Sequence, residues 1–192
     1  MTANTVKLID PYGGELVNLL VPAEERDELI TYAADLPAIK LSERAICDLE
    51  LLATGAFSPL DRFMGQADLQ GVLDDMRLSD GTLFPMPITL PVSDDAPVEV
   101  GQEVTLQDRR GEIIAIMTVE EIYEWDRDEV AQKAFGTLDT RHPIVAEMHR
   151  WGKRNIAGPL RVIQLPTHYD YQELRRTPAQ TRAMLAKFGH EN

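Results

Sequence analysis

A chain of 192 residues with 44% hydrophobic and 27% charged side chains can bury a real core, as one large domain or one domain with appendages. No apolar run approaches the ~20 residues that cross a bilayer, and the opening MTANTVKLID lacks the basic-then-apolar order of a signal peptide. The expected setting is therefore cytoplasmic, which suits a single cysteine, Cys47. The net charge of −13 is segregated: residues 1–140 carry 10 Lys/Arg against 28 Asp/Glu, and residues 141–192 carry 9 against 4. The acidic part repels nucleic acid and nucleotides at long range. The basic end suits either an anion or an acidic neighbouring surface, and the neighbouring surface is preferred.

Residues 1–9 read as loosely held until Val6. Pro11-Tyr12-Gly13-Gly14 is a turn, and residues 16–21 form a short apolar strand. Pro22 opens a helix with Glu24 and Glu25 in its first turn and Leu29, Ile30 and Ala33 on its buried side. Residues 36–39 are an extended link. Ser42 then caps a second helix, with Glu43 in its first turn. Ile46, Leu49, Leu52 and Ala53 form its core stripe, and Gly55 takes the left-handed position after the last turn. Pro59 cannot continue a helix and pushes Ser58 towards extended backbone; Phe63 and Met64 return apolar surface to the core.

A further helix is predicted over about residues 68–77, with Leu69, Val72, Leu73 and Met76 on one face and Ser79-Asp80-Gly81 as its stop. Residues 84–92 read as an extended edge, because Pro85, Pro87 and Pro91 cannot donate to a ladder. Residues 104–106 and 113–119 make a hairpin with Gly111 in the turn. The second strand is apolar on both faces, as in a barrel or sandwich. Residues 120–125 continue it or bend away. Residues 126–135 form a charged amphipathic helix closed by Gly136, residues 137–143 a loop, and residues 160–166 a strand entered through Gly158-Pro159. The last helix is the best capped: Thr177 at the N-cap, Pro178 at N1 and Gln180 completing a capping box, with Met184, Leu185 and Phe188 as its stripe and Gly189 as its stop.

Little here is arranged for chemistry. His142, His149, His168 and His190 are never three or four apart, so no helical zinc pair exists. Asp48 and Glu50, two apart on a helix, do not face each other. Ser58 has no local base, and the Phe57-Ser58-Pro59-Leu60 run reads as a packing corner. Gly13-Gly14 fits no phosphate-loop pattern. His142 reads as a loop histidine held by Pro143 in preference to an interface or anion-binding residue. Arg150, Lys153 and Arg154 around Trp151 form a modest basic patch, read as a domain-facing surface in preference to an RNA contact.

The run Ser42, Arg44, Cys47-Asp48-Leu49-Glu50-Leu51, Gly55, Phe57-Ser58-Pro59-Leu60 and Phe63-Met64 resembles the N-terminal domain of ATP sulfurylase (sulfate adenylyltransferase). Residues 116–143 and the run Gly158-Pro159-Leu160 through Pro166, Tyr169 and Tyr171 resemble it again, so the likeness covers nearly all of residues 6–192. It implies an α+β fold, a PUA-like β-barrel with flanking α-helices. Residues 1–175 would be that domain, and residues 176–192 a capped linker helix leading towards a catalytic domain. It further implies that Arg44, Phe57, Ser58, Pro59, Arg62, Arg141 and His142 are interdomain or structural signature residues, with no catalytic, cofactor or metal residue in this chain. Arg62 stands where the family has glycine; a positive φ there would be strained.

In the parent enzyme that the resemblance implies, sulfate attacks the α-phosphate of ATP, supplied as its Mg complex, and pyrophosphate leaves. A Q-x-R-N-x-x-H-x-x-H motif serves that step by electrostatics. The motif does not occur in this sequence, so the chain is expected to be an isolated N-terminal domain, inactive on its own. The implied partners are the catalytic domain of the same enzyme and other copies of the parent, with no membrane and no nucleic acid. A different class of reading is a stand-alone PUA-like module that binds RNA or acts as a scaffold, against which the charge of −13 argues.

Overall fold

A computed structural model describes residues 8–188. The expectations of a loosely held start at residues 1–7 and of a helix stop at Gly189 lie outside the described residues. Local signals set most helix ends. After a 3-10 turn at Ala23–Glu25 comes α1, Arg26–Ala33, then strand β1, Ala38–Lys40, and helix α2, Glu43–Ala53. The Ser42 hydroxyl accepts from the Ala45 amide at 3.1 Å, so α2 begins where its cap was predicted, and Gly55 follows it at φ 81°. Helix α3, Gln66–Asp75, begins and ends about two residues before the predicted bounds. Met76 takes a left-handed φ of 55° and is exposed, so it leaves the apolar face assigned to it.

The central hairpin is as expected: β3, Glu103–Gln107, runs antiparallel to β4, Ile113–Thr118. Both faces of β4 are covered. Ala115 and Met117 join the main core with Leu49, Leu52, Phe63 and Met64, while Ile116 packs with Ala33 and Ile163 beneath α1. The chain bends away at Val119 into β5, Glu121–Glu124, and then α4, Arg127–Phe135. Asp126 caps α4 by accepting from the amides of Asp128 and Glu129, and Gly136 closes it at φ 69°. Tyr123, Val130, Val145 and Met148 make a second apolar cluster between β5, α4 and the short helix α5, Pro143–Met148.

Several elements differ from the sequence expectation. Residues 16–21 touch the sheet at one parallel bridge, Leu20 to Val162, rather than forming a strand. The link at residues 36–39 runs into β1, parallel to β3, where the Thr105 hydroxyl donates to the Ala33 carbonyl at 2.6 Å. Of residues 84–92, only β2, Leu90–Val92, enters a ladder, beside the unforeseen β6, Arg154–Ala157. Strand β7, Leu160–Val162, stops well before Pro166. The loop at residues 137–143 ends in α5, with Pro143 as its first residue. The final helix α6, Pro178–Phe188, keeps its capping box: the Thr177 amide donates to Gln180 Oε1 at 3.0 Å and the Gln180 amide to Thr177 Oγ1 at 3.3 Å. It buries no residue, and Met184 and Phe188 are exposed, so its apolar stripe is not core.

The α+β content agrees with expectation, but the ladders form two sheets rather than one closed ring: β1-β3-β4-β7 and β2-β6-β5. One bent ribbon joins them. β4 pairs with β7 and β5 with β6, and at the bend the Thr118 amide donates to the Pro159 carbonyl at 3.1 Å and the Glu120 amide to the Ala157 carbonyl at 2.9 Å. Gly158 makes this corner possible, because a Cβ there would lie 1.9 Å from the Thr118 carbonyl oxygen and 2.9 Å from the Glu120 nitrogen. Backbone on both sides cannot yield without opening the ribbon. Gly158→Ala is therefore expected to cost roughly 3 kcal/mol or more in urea unfolding; a loss under about 1 kcal/mol would show that the corner can open.

Candidate functional site

A groove of about 880 Å³ lies between α2, the loop around Tyr12, the segment after β7 and the first turns of α6. The His168 Nε2 sits 2.9 Å from both carboxylate oxygens of Glu50, fastening the segment after β7 to α2. Arg175 pairs with Asp170 at 2.8 Å, and its hydrogen bond, with its charge, holds the Asp170 carboxyl below the usual range. Arg176 and Arg182 stand on the same side. Leu16, Leu51 and Leu165 contribute apolar surface to the lining.

Ser58 also lines this groove, but its hydroxyl is committed to backbone: it donates to the Gly55 carbonyl at 2.7 Å and accepts from the Val17 amide at 3.0 Å. Phe57 packs edge-on against Phe84, with ring centroids 6.3 Å apart. Pro59 follows a cis peptide bond and lies against Gly13, where a Cβ would fall 2.6 Å from Pro59 Cβ. These three residues form a corner that pins the N-terminal loop to the end of α2.

The other signature residues sit elsewhere. The Arg44 guanidinium lies 5.4 Å from the ring centre of Trp151, which packs 6.0 Å from Trp125, and its Nε donates to Asp48 at 3.3 Å. Burial pushes the Asp48 carboxyl above the usual aspartate range, and Arg44 opposes that shift. Arg62 pairs with Asp61 at 2.9 Å and Glu120 at 2.7 Å. Its φ is not positive, so the strain expected of an arginine in place of glycine does not arise; among the described residues Met76 and Tyr171 are the non-glycine residues there. Arg141 pairs with Asp139 and is otherwise exposed, and His142 stacks on Phe135 at 5.1 Å. Among the described residues, Arg44, Arg62 and the Arg141–His142 pair engage separate partners.

Within the modest basic patch, Arg154 is spent on folding. Arg154 Nη2 donates to the carbonyls of Asp94 at 2.7 Å and of Ser93 and Ala96 at 3.3 Å, and Trp151 is stacked. Sequence reading missed the Glu50–His168 pair. Its partners are 118 positions apart, so no local spacing could show it. Among the described residues no group of three or more His, Cys, Asp or Glu side chains is placed to hold a metal ion.

The sequence model of a PUA-like domain matches residues 9–165. The chain is 43% identical over 186 residues to a protein named sulfate adenylyltransferase from Phaeosphaeria nodorum, covering 93% of this chain and 32% of that protein. It is 43% identical over 184 residues to one of the same name from Mycosarcoma maydis, covering 92% and 32%. It thus spans about a third of the length of these curated relatives. A solved structure described as a hexameric APS kinase from Thiobacillus denitrificans superposes with a TM-score of 0.74 at 35% identity, covering 95% of this chain and 32% of that one.

Ser58→Ala would leave the Val17 amide and the Gly55 carbonyl without their side-chain partner. A loss of roughly 1–3 kcal/mol is expected in chemical denaturation, and an unchanged midpoint would mean the corner is held by packing alone. Asp48 gives a pH signature. Its folded form holds the proton more tightly than the unfolded chain, so it withdraws stability as pH rises from the ordinary aspartate value of ~3.9 through the raised folded value. Asp48→Asn abolishes that slope. The variant's stability relative to the parent chain is expected to climb as pH rises above about 4 in urea midpoints, and a flat difference would contradict a penalised carboxylate.

Proposed function

Since the chain belongs to the PUA-like domain family, we propose that it is the N-terminal, non-catalytic third of a sulfate adenylyltransferase. The observation that carries this reading is the identity of 43% running through 93% of the chain yet only 32% of the relative. In this reading the corner-joined sheets stand for the family's barrel, and α6 leads from the domain towards the catalytic part. The parent would join sulfate to the α-phosphate of ATP, releasing pyrophosphate, in the cytoplasm. This chain would orient the catalytic part and contribute to contacts between copies of the parent. Metal-bound ATP would be a substrate of that other part. The described residues offer no cluster to hold the ion, and no step through it is assigned to them.

The signature residues take structural roles in this picture. Phe57, Ser58 and Pro59 lock the N-terminal loop, Arg44 closes the stack over Trp151, and Arg62 ties α3's approach to the bend before β5. Arg141, with its side chain 91% exposed, is the one best placed to meet the catalytic part.

Purified chain incubated with ATP, sulfate and magnesium is expected to release no pyrophosphate above an ATP blank. Turnover near ~1 s⁻¹, within the ordinary range of enzymes, would overturn the reading. Mixed with the separately expressed remainder of a relative, the chain is expected to co-elute and to raise activity. A remainder fully active and stable without it would favour the scaffold alternative.

A further inference from the structure

The groove beside Ser58 is electrostatically out of keeping with the chain. The protein carries a charge of −13, yet Arg175, Arg176 and Arg182 all line this concavity, and among the described residues the one carboxylate in the lining, Glu50, is engaged by His168. Arg175 is neutralised by Asp170. Arg176 and Arg182 are not paired in this way: Arg176 Nη1 donates to the Arg175 carbonyl at 2.7 Å and Arg182 Nη2 to the Ile9 carbonyl at 2.6 Å. Those bonds fix the two guanidinium groups in place while leaving each a full charge and most of its donors. Neither forms an ion pair with a carboxylate among the described residues.

Two positioned guanidinium groups in one cleft match a phosphate, whose oxygens their forked donors can grip in pairs. The rest of the lining asks for something more than a bare ion. Leu16, Leu51 and Leu165 give an apolar floor beside the Tyr12 ring. A volume of about 880 Å³ lies within the range of small-molecule sites, roughly 300–1,000 Å³. The amide of Gln180 in the first turn of α6 is already used by the Thr177 cap, so the arginines rather than the helix end would carry the anion.

We propose that this groove is a binding site for an organic phosphate, a doubly charged phosphate ester on a flat, largely apolar body. Arg176 and Arg182 hold the phosphate, and the floor of Leu16, Leu51 and Leu165 receives the body. The bound ligand bridges α2 to the segment after β7, two walls that the His168–Glu50 pair otherwise joins. Binding here is independent of the parent's reaction: pyrophosphate release tests one and titration of the groove tests the other.

AMP, adenosine and inorganic phosphate are suitable probes, titrated by calorimetry into the full 192-residue protein at low salt. AMP is expected to bind saturably, with adenosine and inorganic phosphate each about tenfold weaker or more, since each lacks one half of the recognition. Arg176→Gln and Arg182→Gln are each expected to weaken AMP about tenfold, the scale of one lost charge-assisted contact. Leu51→Asn is expected to weaken AMP and leave inorganic phosphate unchanged. Thermal melts of the variants within about 2 °C of the parent would show that the fold is retained, because Arg176 and Leu51 lie at the surface. The proposal is overturned by no saturable AMP binding up to about 5 mM, an affinity near the weak limit of specific recognition. It is equally overturned by AMP binding that ignores both arginine substitutions, or by inorganic phosphate binding as tightly as AMP.

Discussion

Everything in this molecule turns on one close approach of backbone to backbone. At Gly158 the chain passes the Thr118 carbonyl so tightly that no side chain fits between them. That contact lets one antiparallel ribbon serve two sheets, with β4 and β7 on one side of the bend and β5 and β6 on the other. The two arms then face different partners. The first is covered by α2 on one face and α1 on the other. The second carries the smaller cluster built from Tyr123, Val130, Val145 and Met148. The amides that would be stranded at a sheet boundary are instead paired across the corner by Thr118 and Glu120.

What could be read in advance was what is decided locally. Ser42 and the Thr177–Gln180 pair each declare a helix start through bonds made within a few residues, and the structure contains both. Gly55, Gly111 and Gly136 mark their turns for the same reason. Elements that exist only because of a distant partner were opaque. β1 is three residues long and is a strand because Thr105 and its neighbours offer a parallel edge; β6 is a strand because β2 and β5 flank it. Pro143 looked like a loop anchor, although proline suits the first turn of a helix equally well. The same divide governs the site. The Ser58 corner could be seen as a packing device, whereas Glu50 and His168 meet only in three dimensions.

Several of the residues that carry the resemblance make bonds within the fold. Arg44 and Asp48 serve a stack of two tryptophans, Ser58 serves two backbone groups, and Phe57 serves Phe84. A sequence signature of this kind records packing demands, which tolerate few alternatives because the interior is dense and its polar groups must be matched. Arg176 and Arg182, which form no ion pair among the described residues, lie outside it, on the segment after β7 and on α6.

Helix α6 is ordered without being buried. Its eleven residues contribute nothing to the core, and its start is secured by a reciprocal cap and by the Arg182 bond to the N-terminal loop. Short helices are marginal in water when left to propensity alone. Because this one is already nucleated, a macromolecule that docks on it would not have to spend association energy on coiling the chain, and encounter would be a meeting of two preformed surfaces. The exposed Met184 would then act as a ready contact from the first collision rather than one that appears only after the segment folds.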